Sequence, residues 1–275
     1  MKSYFHITAS SYNYLSDPLW LILQHGAGLI GYTLYAPQNQ CIIRSQLWQI
    51  NIQNSETSER FDNLSKAIGD ELNLTKIISI NFHAAHIAIP ELIHQSGKVN
   101  DWIQLLNGQN PEEKITLKTS SASGIVHVQP IDQAFNEWLN QKYQYVDSYS
   151  FQEFAYHEKE IDSDKLHITF YDQYIFITLY KQGVIHLCQA YPFKTPEDVL
   201  YLLLNITDQF ELDIAVLSFI PEGFIDADSS LYKLLEQYFP NIEQPGSLKH
   251  HYPEETDHLS PFILRYIDRI ITCVS

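Results

Sequence analysis

The chain has 275 residues, 45% of them hydrophobic, and a formal charge of −16. That length accommodates two ordinary domains or one large one, and the apolar content excludes a disordered chain. The 17 basic residues are spread thinly, which excludes a nucleic-acid-binding surface, since that would need clustered Lys and Arg to replace phosphate counterions.

Aromatic content of 13%, with 18 Tyr and 14 Phe, favours strands. Cys41, Cys188 and Cys273 are odd in number and far apart, so they read as reduced thiols rather than a disulfide framework. The N-terminal MKSYFHITASSYNYLSD lacks the apolar core of a signal peptide, and no run approaches the ~18 apolar residues of a membrane helix. Together these features predict a soluble cytoplasmic protein with no membrane partner.

In chain order, an edge strand is predicted around Tyr4–Thr8. Leu19–Leu23 and Leu29–Tyr35 read as strands joined by a turn at His25–Gly28, and Cys41–Ile50 as a third strand after a turn at Pro37–Gln40. A helix follows, capped by Ser55, Thr57 or Ser58. Phe61, Leu64, Ile68 and Leu72 form its apolar face and Asn73 its stop. Lys76–Phe82 is a β-branched run suited to a strand buried on both faces. Pro90–Leu106 predicts a helix interrupted near Ser96-Gly97, Ile115–Thr119 and Gly124–Val128 strands, and Ile131–Tyr143 an amphipathic helix.

Residues 147–165 carry Asp147, Glu153, Glu158, Glu160, Asp162 and Asp164 against two lysines, which predicts a solvated helix or linker. Strands are then predicted at Leu166–Tyr171, Tyr174–Tyr180 and Val184–Phe193. Thr195-Pro196-Glu197-Asp198 is a strong helix start: a cap, proline at the first position, then two acids at the positive end of the dipole. Ile214–Phe219 reads as a strand, Leu231–Phe239 and Ser260–Cys273 as helices.

The second half repeats the first. Leu166–Tyr180 lies without gaps on Leu21–Tyr35 with identity at five positions, including Thr33-Leu34-Tyr35 against Thr178-Leu179-Tyr180. Ile214–Phe219 likewise matches Ile77–Phe82, and Pro-Glu follows in both halves, at Pro90-Glu91 and Pro221-Glu222. Each half therefore reads β-β-β-α-β-α, an α/β arrangement in which a mixed sheet is covered by helices. Two lobes, 1–150 and 151–275, with a cleft between them are expected.

This duplicated unit resembles the actin-like ATPase fold, whose halves are each ribonuclease-H-like. With Ala88-Ile89-Pro90 and Phe219-Ile220-Pro221 after the fourth strand of each half, the chain resembles the bacterial family catalogued as domain of unknown function 3822. The resemblance spans nearly the whole chain and implies an actin-like fold without an established activity. In active members of the class, the first hairpin of each half carries an Asp-x-Gly turn whose amides face phosphate and whose carboxylate organises Mg²⁺. Here the first turn, Leu23–Gly28, keeps Gly26 and Gly28 but no acid. The second, Phe170–Tyr174, keeps Asp172 but no glycine, and places Tyr171 and Tyr174 where backbone should approach phosphate. A lone Gly223 stands where a Gly-Gly adenosine turn belongs. Gly26, Gly28 and Asp172 are thus the candidate contacts of any nucleotide in the cleft, and the eroded motif implies no bound cofactor.

Other motifs weaken on inspection. Gly26–Gly31 spells GxGxxG, but a dinucleotide site needs a helix opening there and an acid about twenty residues on; Tyr32–Tyr35 is β-like and no acid precedes Glu56. His83 and His86 with nearby His94, and His250-His251 with His258, Glu254, Glu255 and Asp257, lack zinc-site spacing, so no metal is expected. Cys188 falls on a predicted inner strand without a histidine partner. Asp226 and Asp228 sit in a polar loop with nothing apolar to perturb them. The reading that remains is a catalytically silent actin-like protein that binds another protein. Its rival is an ATP-binding or sugar-kinase-like enzyme using Asp172 as a metal or base residue and the Gly26–Gly28 turn at the phosphates.

Overall fold

The computed structural model describes residues 2–9, 17–50, 57–94, 117–122, 124–156, 163–256 and 258–275. They fall into two compact units, Met1–Glu153 with His250–His258, and Phe154–Lys249 with Leu259–Ser275. Among the described residues no helix is long and apolar enough to cross a membrane.

The first unit contains β1 (Lys2–Thr8), β2 (Leu19–Gly26), β3 (Leu29–Ala36), β4 (Cys41–Gln49), α1 (Thr57–Ile68) and β5 (Leu74–Phe82). After them come β6 (Ile87–Pro90), β7 (Leu117–Ala122), β8 (Ile125–Pro130), α2 (Gln133–Lys142) and β9 (Asp147–Ser150). Six strands form one sheet in the order β1-β4-β3-β2-β5-β9. Short turns make β2, β3 and β4 an antiparallel meander, whereas the helix between β4 and β5 returns the chain to lie parallel to β2. Phe61, Leu64 and Ile68 of α1 and Phe135 and Leu139 of α2 close over Leu21, Leu23, Ile30 and Leu34 in one core. A separate three-stranded sheet, β6-β8-β7, buries Ile89, Val126 and Val128.

The second unit contains β10 (Lys165–Tyr171), β11 (Tyr174–Lys181), β12 (Val184–Pro192), α3 (Pro196–Gln209), β13 (Ser218–Gly223), α4 (Ser230–Tyr238) and α5 (Pro261–Val274). Its sheet runs β12-β11-β10-β13, with β13 parallel to β10. The expected start of α3 is a full capping box, Thr195 accepting from the Asp198 amide while the Asp198 carboxylate accepts from the Thr195 amide. Val199, Leu203 and Ile206 of α3 and Tyr232 and Leu235 of α4 pack on Leu166, Ile168 and Phe170.

The two opening hairpins have the same register. Leu21 lies opposite Leu34 and Gly26 opposite Leu29; Leu166 lies opposite Leu179 and Tyr171 opposite Tyr174. The next pairing breaks register between Leu34 and Tyr35 in one unit and between Leu179 and Tyr180 in the other. Just before each break a threonine meets its cross-strand neighbour, Thr33 Oγ1 and Ser45 Oγ at 2.7 Å, and Thr178 Oγ1 and Cys188 Sγ at 3.9 Å.

Several expectations are corrected. α1 stops at Ile68 rather than Asn73, because Gly69 takes a left-handed backbone with φ of 88°. Pro90, expected to open a helix, instead ends a strand over residues 87–90, and Glu91–Ile93 is a single 3₁₀ turn; residues 95–106 lie outside those described, as do Ser55, Ile115 and Thr116. The predicted strand Ile214–Phe219 begins only at Ser218, because Asp213 closes a turn: its Oδ1 accepts from the Ala215 amide and its carbonyl from the Val216 and Leu217 amides. Pairing sets Ile77 opposite Leu21 and Phe219 opposite Leu166, so Ile77 corresponds to Phe219 and not to Ile214. Pro221-Glu222 lies inside β13 while Pro90 ends β6, so the two Pro-Glu pairs occupy different elements. The acidic stretch is not a solvated linker where it is described: Asp147–Ser150 is β9, Phe151, Phe154 and Ala155 are buried, and 157–162 lie outside the described residues. β12, which carries Cys188, is an edge strand rather than an inner one.

Candidate functional site

In open α/β sheets ligands gather beyond the carboxyl ends of parallel strands, which in the first unit are the ends of β2 and β5. The β2–β3 turn there is Gly26-Ala27-Gly28, with φ of 121°, 49° and 82°. A strand, β3, follows the turn, not the helix a dinucleotide fingerprint requires. Gly26 lies against β5 so closely that a Cβ on it would stand 2.1 Å from the Phe82 carbonyl oxygen. The Gly28 carbonyl accepts from the Ile50 amide at 2.7 Å. The turn is therefore fastened to both β5 and the end of β4.

Beside it His25 Nε2 lies 3.4 Å from Asp132 Oδ2, and the His25 ring stacks on Phe135 with centroids 4.2 Å apart. Asp132 also caps α2, its Oδ1 accepting from the Phe135 amide at 3.1 Å. The hydrogen bond from His25 holds the Asp132 carboxyl down at about 2 against the opposing effect of burial. The pair joins the end of β2 to the start of α2. Its carboxylate is committed to an imidazole and a helix amide, which suits fastening better than proton transfer.

The predicted histidine clusters do not converge. His83 Nδ1 accepts from the Ala85 amide at 3.0 Å, whereas His86 Nε2 turns to His127 Nδ1 of β8, also at 3.0 Å. Burial lowers His83, helped by the charge of His25, and lowers His86 to about 3, with His127 and His83 adding to it. The His251 backbone bridges beside Cys41 at the start of β4, exchanging bonds with Gln40 and Ile42, and the His250 ring stands edge-on to Tyr35 at 5.3 Å. Asp257 lies outside the described residues. Among those described, no three His, Cys, Asp or Glu side chains are placed to hold a metal ion.

In the second unit the matching turn is Tyr171-Asp172-Gln173-Tyr174. Tyr171, at the position Gly26 holds in the first unit, is fully buried beside Phe224 and Tyr266, at 5.8 and 6.3 Å between ring centroids. Asp172 is half-buried with φ of 53°, a left-handed conformation that Asp and Asn tolerate better than other side chains. Gly26 and Gly28 thus share one turn, and Asp172 sits in the corresponding turn of the other unit.

A polar cluster in the second unit escaped the sequence reading. Glu222 of β13 is fully buried. Its Oε1 accepts from Thr169 Oγ1 at 2.5 Å and from Arg269 Nη1 at 2.9 Å, and its Oε2 lies 3.1 Å from His167 Nε2. Burial opposes ionisation, yet Arg269 and His167 prevail and hold the carboxyl at about 2. One turn earlier on α5, Arg265 donates to the carbonyls of Pro221, Glu243 and Gln244. The signal was present as an acid inside the apolar run Phe219–Ile225 and as arginines at i, i+4 on an amphipathic helix. In the first unit the pair matching Thr169–Glu222 is Gln24–Ile80, so the cluster belongs to one unit only. Sealed from solvent, the carboxylate clasps α5 to the sheet through Arg269.

Comparisons with known proteins agree with this architecture. No curated protein matches the chain. A protein of Bacteroides thetaiotaomicron, described as having an actin-like ATPase fold and unknown function, aligns over 85% of this chain and 93% of its own, at 16% identity and a TM-score of 0.67. A structure described as the PilM–PilN type IV pilus biogenesis complex contains a chain that aligns over 93% of this one and 98% of its own, at 12% identity and a TM-score of 0.54. These likenesses bear out the expected actin-like ATPase fold, built here as α/β with mixed sheets. The profile of the proteins of unknown function designated DUF3822 matches residues 13–242, and the chain belongs to that family.

Proposed function

We propose that this protein is a catalytically silent member of the actin-like class that acts in the cytoplasm by binding another protein. In this reading residues 1–150 and 151–275 are two lobes descended from one duplicated unit, and the phosphate turns of both have been given over to structure. The observation that carries it is the pair of hairpin turns. One has no carboxylate and its first glycine is filled by the Phe82 carbonyl; the other buries the Tyr171 ring and uses Asp172 to hold a left-handed residue. The structural neighbour described as the PilM–PilN type IV pilus biogenesis complex supports a protein-binding role for this fold. The charge of −16 argues against nucleic acid as the partner.

Titration of the purified chain with Mg·ATP, by calorimetry and by thermal shift, tests the reading. A site filled at a hundred times its Kd would add about 2.7 kcal/mol of stability and raise the melting temperature by several degrees. No heat and no shift are expected. Stoichiometric binding that Asp172→Ala abolishes would overturn the proposal in favour of an ATP-binding or sugar-kinase-like enzyme with a nonstandard site.

A further inference from the structure

β5 is covered unequally by its neighbours. β2 accompanies it from Leu74 to Phe82, whereas β9 pairs with it only from Ile78 to Asn81. The first four residues of β5 run on beyond the β9 ladder, a length of ~13 Å at the usual rise of a strand. A cleft of about 270 Å³ opens at that place, lined by Leu74, Thr75, Lys76 and Ile77 on one side and by Gln144, Tyr145 and Asp147 on the other. This is smaller than the ~300–1,000 Å³ of sites for small molecules and cofactors. It suits a short piece of extended backbone with one anchoring side chain.

The lining has the chemistry of an interface. Leu74 and Ile77 are half-buried and form the flank of the first unit's core, so the cleft opens onto apolar surface. Tyr145 is 86% exposed, a large aromatic ring held out at the rim. Lys76 directs its ammonium over the Trp20 ring, 4.6 Å from the centroid, so its charge is turned to the β2 side. The exposed Asp147 carboxylate is then the charge presented at the mouth.

We propose that this cleft receives an extended segment of a partner protein, which adds to the sheet along Leu74–Ile77 and carries an apolar residue next to a basic one. The ladder stops where the cleft begins, so an added strand continues the sheet along the line of β9. The apolar residue covers Leu74 and Ile77 against Tyr145, and the basic one meets Asp147. A second copy of the chain is a poorer occupant, because each copy carries −16. The proposal rests on the protein-binding reading above and names the surface that would serve it.

The test pans random ten-residue peptides displayed on phage against the full chain. Selected peptides are then titrated in solution against the wild type, Tyr145→Ala and Asp147→Lys, with amide hydrogen exchange recorded on the wild-type complex. The expected peptides pair a basic with an apolar residue, protect Leu74–Ile77 from exchange, and bind each variant at least about tenfold more weakly, as truncation of an anchor does. Tyr145 is exposed, so its variant should melt with the wild type, which separates lost binding from lost fold. Failure to enrich any peptide overturns the proposal, as do peptides that protect another segment or ignore both substitutions. So does a dimer that Tyr145→Ala dissolves. Protection elsewhere removes this cleft but leaves the protein-binding reading standing, whereas stoichiometric Mg·ATP binding removes that reading whatever the peptides do.

Discussion

Arg269 and Glu222 meet at 2.9 Å where the carboxylate has no exposure to solvent and the guanidinium side chain has 13%. Thr169 adds a hydrogen bond to the same carboxylate and His167 lies 3.1 Å from its other oxygen, which offsets part of the cost of taking two charges out of water. Breaking such a pair on one side strands the other charge, which costs about 3–5 kcal/mol. Arg269→Met and Glu222→Leu should each lower unfolding free energy by that amount in urea titrations. The double variant should lose clearly less than the sum, since it leaves no orphan charge. Additive losses would show that the two side chains act independently.

The same carboxylate and His86 both contribute to the acid response, alongside Asp132 and His83, which the fold also lowers. Glu222 is depressed in the fold to about 2 from 4.5, so its contribution is fully present above pH 4.5 and is lost as pH falls toward 2. His86 is depressed to about 3 from 6.5, so between those values the unfolded chain binds a proton that the folded chain refuses. Stability therefore falls as pH drops from 6.5 toward 3. Melting curves from pH 7 to 4 should decline in the wild type, and the decline should be shallower in His86→Gln. An unchanged slope in that variant would remove His86 from the account.

Glycine-to-alanine substitutions should separate by what surrounds them. At Gly26 and Gly223 a Cβ would stand 2.1 and 2.2 Å from the carbonyl oxygens of Phe82 and Phe170, so either substitution must push a pair of parallel strands apart. Gly124 and Gly69 also have positive φ but face open space. Alanine there should cost only the left-handed penalty of about 1–2 kcal/mol. The first pair should cost visibly more, read as the loss of soluble, cooperatively melting protein.

Thr195 tests the cap of α3. Thr195→Ala removes the acceptor for the Asp198 amide and should cost about 1 kcal/mol in urea titrations, while Thr195→Ser should cost almost nothing. An equal loss in both would mean that the methyl group, not the hydroxyl, is what matters.

The regions of the fold legible from sequence were those set by local chemistry. Both opening hairpins, the meanders and α3 follow from alternation, turn residues and the Thr195–Asp198 box. What escaped depended on distant partners. Ile214–Leu217 is apolar enough to pass for strand, but Asp213 captures its amides first. Pro221, expected to follow the strand, lies within it, because an edge strand tolerates a residue without an N–H. Six acids made 147–165 look solvated, although Glu153 is 3% exposed and its Oε1 accepts from the Ser150 amide. Of the site, the turns at Gly26–Gly28 and Asp172 were legible as turns. Glu222 was not, because a buried acid is explained only by the Arg269 that reaches it from the final helix.

The common register of the two hairpins carries a hazard for the growing chain. Backbones so alike could each complete the other's ladder, and a protein that mixed them would be compact but wrong. The turn residue guards against this. Were the second hairpin to enter the first sheet, Tyr171 would fall at the place of Gly26, with its Cβ driven toward the Phe82 carbonyl. In the opposite exchange, Gly26 would leave a hole beside Phe224 and Tyr266 where a whole phenol ring belongs. One position thus serves each hairpin as an address, admitting it to its own sheet and refusing it at the other.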